Sequence, residues 1–147
     1  MTDNDNPDVL WPTHRYVPGQ NKRHPEHAFD SIKAGLSTDM SVAELAQSSA
    51  FRHGLVYLEN GYYWEAHEVF EPVWLLLPEN SDQKLFVQAL IQVANAYLKH
   101  RMQRPKATRR LCEISAQLLA RPAAREILGV RKASILGMIT DLENSLI

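Results

Sequence analysis

A single cysteine, Cys112, in a chain of 147 residues excludes an internal disulfide and leaves the fold to be held by its apolar core. That usage suits a reducing compartment, so the chain reads as cytoplasmic. No run approaches the roughly 20 consecutive apolar residues of a membrane span, so no membrane partner is expected. The first residues, Met1 to Asp8, are acidic and lack the apolar stretch of a secretory leader. A net charge of only −1 removes any overall attraction to nucleic acid or anionic surfaces. There is no Gly-rich phosphate loop and no nucleophile elbow, and no alternating apolar pattern that would mark a strand. What remains is ordinary globular composition, 45% hydrophobic and 22% charged, in a length that fits one domain.

Composition changes near residue 40. Residues 1–40 hold Pro7, Pro12, Pro18 and Pro25, three histidines (His14, His24 and His27) and little periodicity. Leu10, Trp11, Tyr16 and Val17 are costly to leave in water. The expectation is an extended arm over residues 1–40 that packs over the domain or over a partner subunit, with one short helix within Ala28 to Leu36.

From residue 41 to 147 the pattern is helical and forms a single domain. Ser41 and Glu44 have capping-box spacing, and the first helix is predicted to run from there to Asn60, with Asn60-Gly61 as its stop. The second is predicted over Tyr62 to Leu77, ending before Pro78. The third runs from Ser81 or Asp82 to Met102, and the fourth from Pro105, a natural first-turn proline, to Ala120. Residues 122–128 read as a further turn of helix broken at Gly129, before a last helix from Arg131 to Leu146. Gly54, Tyr57, Gly61, Tyr63, Ala66, Phe70 and Pro78 fall at tetratricopeptide spacings, and Ala94, Tyr97, Ala107 and Leu111 repeat part of the pattern. The fold class is therefore all-α: two stacked antiparallel hairpins with tetratricopeptide-like packing, a C-terminal helix and the arm.

The densest chemistry lies on the second helix. Tyr63, Ala66, Val69, Phe70, Val73, Trp74 and Leu77 share one apolar face at helical period. Trp64, Glu68, Glu71 and Leu75 form a stripe opposite, which needs a cover, while Glu65 reads as solvated. His67 sits on the border, one turn from Glu71. Pro72 removes the amide that would bond the Glu68 carbonyl, beside this pair. On the third helix Gln88, Gln92, Asn95 and Lys99 line a narrow stripe. Amides suit half-buried positions because they donate and accept without charge, and one reading has Gln88 and Gln92 bonding the carboxylates of the second helix.

Three functional readings follow. His67, Glu68 and Glu71 are the candidate ligands of a divalent metal if others converge from His53, His100 or the His24-Pro25-Glu26-His27 cluster. The Glu-x-x-His and His-Glu-x-x-His patterns are both missing. His67 and Glu71 are the candidate acid–base pair. The plainer reading is a His–Glu pair that fixes helix packing, with Trp64, Glu68, Gln88, Gln92 and Asn95 as binding residues of a polar cleft. Cys112 lies beside Leu111 and Ile114 and belongs in the core. The basic stretch of Lys99, Arg101, Arg104, Lys106, Arg109 and Arg110 faces no aromatic platform, so nucleic acid is not expected. Its natural counterpart is the acidic stretch of Glu59, Glu65, Glu68, Glu71, Glu79 and Asp82, either between hairpins or between subunits.

Phe51, Gly54, Gly61, Tyr62 or Tyr63, Glu65-Ala66-His67-Glu68, Glu71 and Trp74, followed by Leu90-Ile91-Gln92-Val93-Ala94 and Ala96, resemble the domain-of-unknown-function family 309, small bacterial and archaeal helical proteins. The resemblance covers residues 48–120, and the arm with Tyr16-Val17-Pro18-Gly19 and Arg23-His24-Pro25 is similar to an extension that some members carry. Where the family usually has a Gly-Asn turn and then Gly-Ala, this chain has Gln103-Arg104 and Lys106-Ala107, and Pro72 replaces a helix former. The resemblance implies an all-helical fold and a signature cluster of His67, Glu68, Glu71 and Gln92, and it implies no substrate. The expectation is an uncharacterised helical homo-oligomer, a homodimer, with a polar cleft of structural or binding role. The alternative is a metal-dependent or acid–base, hydrolase-like enzyme that uses His67, Glu68 and Glu71.

Overall fold

The computed structural model describes residues 8–146, so the expectations for Met1 to Pro7 lie outside the described residues. The chain is all-α apart from one minimal hairpin. In order come α1 (Asp30–Lys33), α2 (Val42–Ala46), α3 (Ser49–Glu59), α4 (Tyr63–Leu76), α5 (Asp82–Arg101), α6 (Pro105–Ala120), β1 (Glu126–Ile127), β2 (Val130–Arg131) and α7 (Lys132–Ser145). Neighbours in sequence from α3 to α6 pack against each other, and α7 closes the far side on α6 and α5.

Local chemistry explains the boundaries. Ser41 and Glu44 form the reciprocal capping box expected of them. The helix they start does not reach Asn60, however. Ser48 caps a second time, its Oγ accepting from the Phe51 amide at 3.2 Å, so the expected single helix is two. The expected short arm helix shrinks to the four residues of α1. Gly61 (φ 82°) ends α3 as a left-handed residue, and the Tyr62 amide reaches back to the Tyr57 carbonyl at 2.9 Å. Ser81 caps α5 through the Lys84 amide, and Pro105 opens α6. Helix α4 continues through Pro72.

Residues 122–128 are not helical. Leu128 (φ 54°) and Gly129 (φ 78°) both take positive φ, the geometry of a two-residue turn between antiparallel strands. Ile127 is buried by this hairpin, so a short strand replaces the expected turn of helix.

The core lies between α3, α4 and α5. Phe51, Tyr57, Phe70, Phe86 and Leu90 are among its largest fully buried side chains, with Ala66, Val69 and Val73 from the predicted apolar face of α4. Each of the large apolar side chains contributes roughly 1.5–3 kcal/mol on burial, more than a surface ion pair is worth. Gly54 allows the closest approach of α3 to α4, because a Cβ there would enter the Phe70 ring. Among the described residues no ion pair links the acidic stretch to the basic one. Arg101 instead donates to the Gly61 carbonyl and stacks on Tyr63 at 4.3 Å, and Arg15 donates to the Asn60 carbonyl at 2.9 Å. Both cations therefore sit at the negative end of α3.

Two measurements check this packing. Gly54→Ala is expected to lose about 1–3 kcal/mol by overpacking. Gly137→Ala, in the middle of α7 with nothing within 4 Å of the new Cβ, should gain about 0.5–1 kcal/mol in the same urea titration. Burial, followed by the charges of Glu143 and Glu113, pushes the Cys112 thiol up to about 11. At pH 8 the thiol is then protonated and shielded, so a thiol reagent should react with it only as fast as the protein unfolds.

Candidate functional site

The arm contributes more than a cover. Residues 8–24 run across the ends of α3 and α4, held mainly by polar contacts to side chains and carbonyls of both helices. The Leu10 amide donates to His53 Nε2 at 3.1 Å, and His53 Nδ1 meets the Ser49 carbonyl at 2.8 Å. This pairing assigns the proton of His53 to Nδ1. The Tyr57 hydroxyl donates to the Leu10 carbonyl. Burial above all, then the charge of Glu65 and Tyr62, pushes that hydroxyl above the ordinary tyrosine range, which keeps it a donor. Trp11 lies against Tyr57 and Tyr62, and Gln20 donates to the Arg101 carbonyl at 2.7 Å.

Beneath the arm is the residue that reading by residue type placed in solvent. Glu65 is 0% exposed. Its Oε2 lies 2.6 Å from His24 Nε2 and accepts from the Tyr16 amide at 2.9 Å. Oε1 is buried with no hydrogen-bond partner among the described residues. Glu65 is in the first turn of α4, where the helix dipole favours a negative charge. An isolated buried carboxylate costs several kcal/mol, and the pairing with His24, the Tyr16 amide and the helix terminus offsets that cost. The residue was findable in the sequence: it stands one turn before the fully buried Val69. It was missed because a carboxylate there is affordable only with a partner 41 positions away.

His24 is itself buried, 7% exposed, and its ring is set among His14, Tyr16, Phe29 and Trp64 at centroid distances of 4.4, 6.3, 5.2 and 5.9 Å. His24 lines a cleft of about 470 Å³ together with Arg23, Pro25, Glu26, Phe29, Lys33, Trp64 and Glu68. Lys33 Nζ and Glu68 Oε1 pair at 2.9 Å across it. The Arg23 guanidinium lies 5.7 Å from the Trp64 ring centroid. Trp64 and Glu68 thus share a cleft with four charged groups around an aromatic wall.

The other expected residues lie elsewhere. His67 Nε2 and Glu71 Oε2 do pair, at 3.0 Å, but the two side chains are 28% and 54% exposed. This is a surface pair rather than the buried pair envisaged. Gln88, Gln92 and Asn95 are half-buried as their amides suggested, yet neither glutamine bonds a carboxylate of α4 among the described residues. Gln92 Oε1 accepts from Asn95 at 3.4 Å, and Gln88 borders a separate hollow with Trp74, Glu79 and Lys84. Glu68 points to Lys33 while His67 holds Glu71. No group of three or more His, Cys, Asp or Glu placed to hold a metal ion occurs among the described residues. Leu75, which was expected to be covered, is 63% exposed.

Among the described residues no helix is long and apolar enough to cross a membrane. Neither curated proteins nor solved structures match the chain.

The contrast between the two His–Glu pairs is measurable. Glu65→Ala removes one partner of a buried pair and should cost about 3–5 kcal/mol in urea unfolding. Glu71→Ala breaks an exposed one and should change stability by less than about 1 kcal/mol. Equal effects would mean that Glu65 does not anchor the arm.

The model of one family, described as a domain of unknown function (DUF309), matches residues 51–111, a stretch that includes α4 and Gln92, and the chain is similar to that family over this stretch.

Proposed function

We propose that this protein binds a small polar ligand in the cleft between the arm and α4, with Arg23, His24, Lys33, Trp64 and Glu68 as its contact residues. The observation that carries this reading is the cleft's construction from two parts of the chain. One wall is arm, the other is α4, and a buried His24–Glu65 pair fastens them directly behind it. Ligand sites commonly have this size and this mixture of an aromatic wall with a few polar groups. The polar His/Glu cleft expected on α4 is retained in this form, moved one turn toward the helix N-terminus. Gln88, Gln92 and Asn95 have no part in it. The homodimeric state, the cytoplasmic setting and the tetratricopeptide-like stacking of the hairpins belong to the same proposal.

The alternative, a metal-dependent or acid–base reaction at His67, Glu68 and Glu71, has the surface pair of His67 and Glu71 in its favour. It lacks a third converging donor, because Glu68 is engaged with Lys33.

One screen separates the two. A panel of small carboxylates, phosphates, amines, zinc and manganese is tested by thermal unfolding, with Trp64 emission as the second readout. A ligand at about five times its Kd stabilises by about 1 kcal/mol, or about 2–4 °C in a chain of this size. For an organic ligand the shift should vanish in Lys33→Ala and Glu68→Gln, whose half-exposed pair the fold can spare. A metal-induced shift abolished by His67→Ala would transfer the site to the alternative.

A further inference from the structure

The cleft contains one group whose chemistry the binding reading leaves unused. His24 Nε2 is committed to Glu65 Oε2 at 2.6 Å, and the same oxygen accepts the Tyr16 amide. With the carboxylate ionised and the ring neutral, Nε2 carries the single ring proton and donates it to that bond. Nδ1 is then the lone-pair nitrogen, and it forms no hydrogen bond among the described residues. A buried imidazole on the wall of an open cleft, held in one tautomer by a carboxylate behind it, is arranged to accept a proton or a hydrogen bond from whatever occupies that cleft.

The charges around it restrict the occupant. Lys33 and Glu68 neutralise each other. Arg23 has no carboxylate partner among the described residues, and its guanidinium is held against Trp64. A planar fork in that position fits a carboxylate through two parallel hydrogen bonds. Glu26 borders the same cleft and disfavours ligands of high negative charge. The other titratable groups facing His24 are His14, whose ring is stacked on it and whose Nε2 is tied to the Lys22 carbonyl at 2.5 Å, and Tyr16.

We propose that the cleft takes a small hydroxy- or amino-carboxylate. Its carboxylate is anchored by Arg23, and its neighbouring O–H or N–H is directed at His24 Nδ1, with Glu65 as the positioning residue. Where the bound donor is acidic enough to ionise, its proton moves to Nδ1, and the imidazolium so formed faces the Glu65 carboxylate. No other bond changes. This inference rests on the cleft being a binding site, and it adds the ligand class and the role of His24.

The test uses the full chain labelled with nitrogen-15, and follows the imidazole of His24 by long-range proton–nitrogen correlation, with His24→Gln for assignment. In the free protein at neutral pH the ring should be the Nε2–H tautomer. Glycolate and glycine should each move the Nδ1 resonance in a saturable way, while acetate, which has no donor, moves it little. Arg23→Gln should weaken glycolate binding about tenfold, the loss of one charge-assisted contact. An Nδ1–H tautomer or a doubly protonated ring in the free protein overturns the proposal, because Nδ1 then has no lone pair to offer. So does a Trp64 emission response to glycolate with His24 unmoved, an outcome that leaves the binding cleft standing. Unchanged affinity in Arg23→Gln overturns the anchor. If no probe of any class moves either Trp64 or His24, the cleft reading fails as well.

Discussion

The buried carboxylate of Glu65 is the constraint on which the arrangement of this chain turns. A charge with no exposure needs partners, and the core between α3, α4 and α5 provides none of them. They come from the arm: the imidazole of His24 and the amide of Tyr16. Burying Glu65 and docking the arm are therefore one event. Neither is favourable alone, because the carboxylate without the arm loses its partners, and the arm without the carboxylate leaves a buried histidine unpaired. Position in the first turn of α4 adds the helix dipole to the same balance.

The remaining arm contacts follow from that anchor. With His24 and Tyr16 in place, Arg15 reaches the end of α3, Trp11 covers Tyr57 and Tyr62, and Leu10 bonds both His53 and Tyr57. Most of these contacts are hydrogen bonds to backbone groups at helix ends or to buried ring atoms. Such groups would otherwise be desolvated without compensation, which makes them directional and selective for one path of the chain. The cleft is a consequence. The chain turns after His24 into Pro25 and α1, and the gap between that turn and α4 is lined by whatever charges both sides carry.

The two His–Glu pairs of this molecule show why residue type and spacing are insufficient to recognise a site. His67 and Glu71 are one helical turn apart, and a pairing at 3.0 Å follows from helix geometry alone. That geometry says nothing about burial, and the pair lies at the surface. His24 and Glu65 are far apart in sequence and no local rule joins them, yet theirs is the buried bond. The stretch of α4 that matches the family model contains Glu65 as well as His67, Glu68 and Glu71. Helical periodicity alone placed Glu65 beside the wrong neighbours, since it counts contacts within one helix and the decisive contact is with the arm.

The sequence by itself determined the all-α class, the capping box at Ser41, the stop at Gly61, the Ser81 and Pro105 starts, the core face of α4 and the burial of Cys112. Each of these depends on interactions within a few residues or on a periodicity that repeats along one helix. The tertiary structure alone decided the second cap at Ser48, which competes with helix continuation. It decided the hairpin at Leu128-Gly129, where a leucine accepts positive φ because Ile127 gains burial. It also decided which of the four histidines and four glutamates of the arm and α4 would form the buried pair. Solvent exclusion is a property of the assembled chain, and the cost of burying a charge cannot be assessed until the partner that offsets it has been brought alongside.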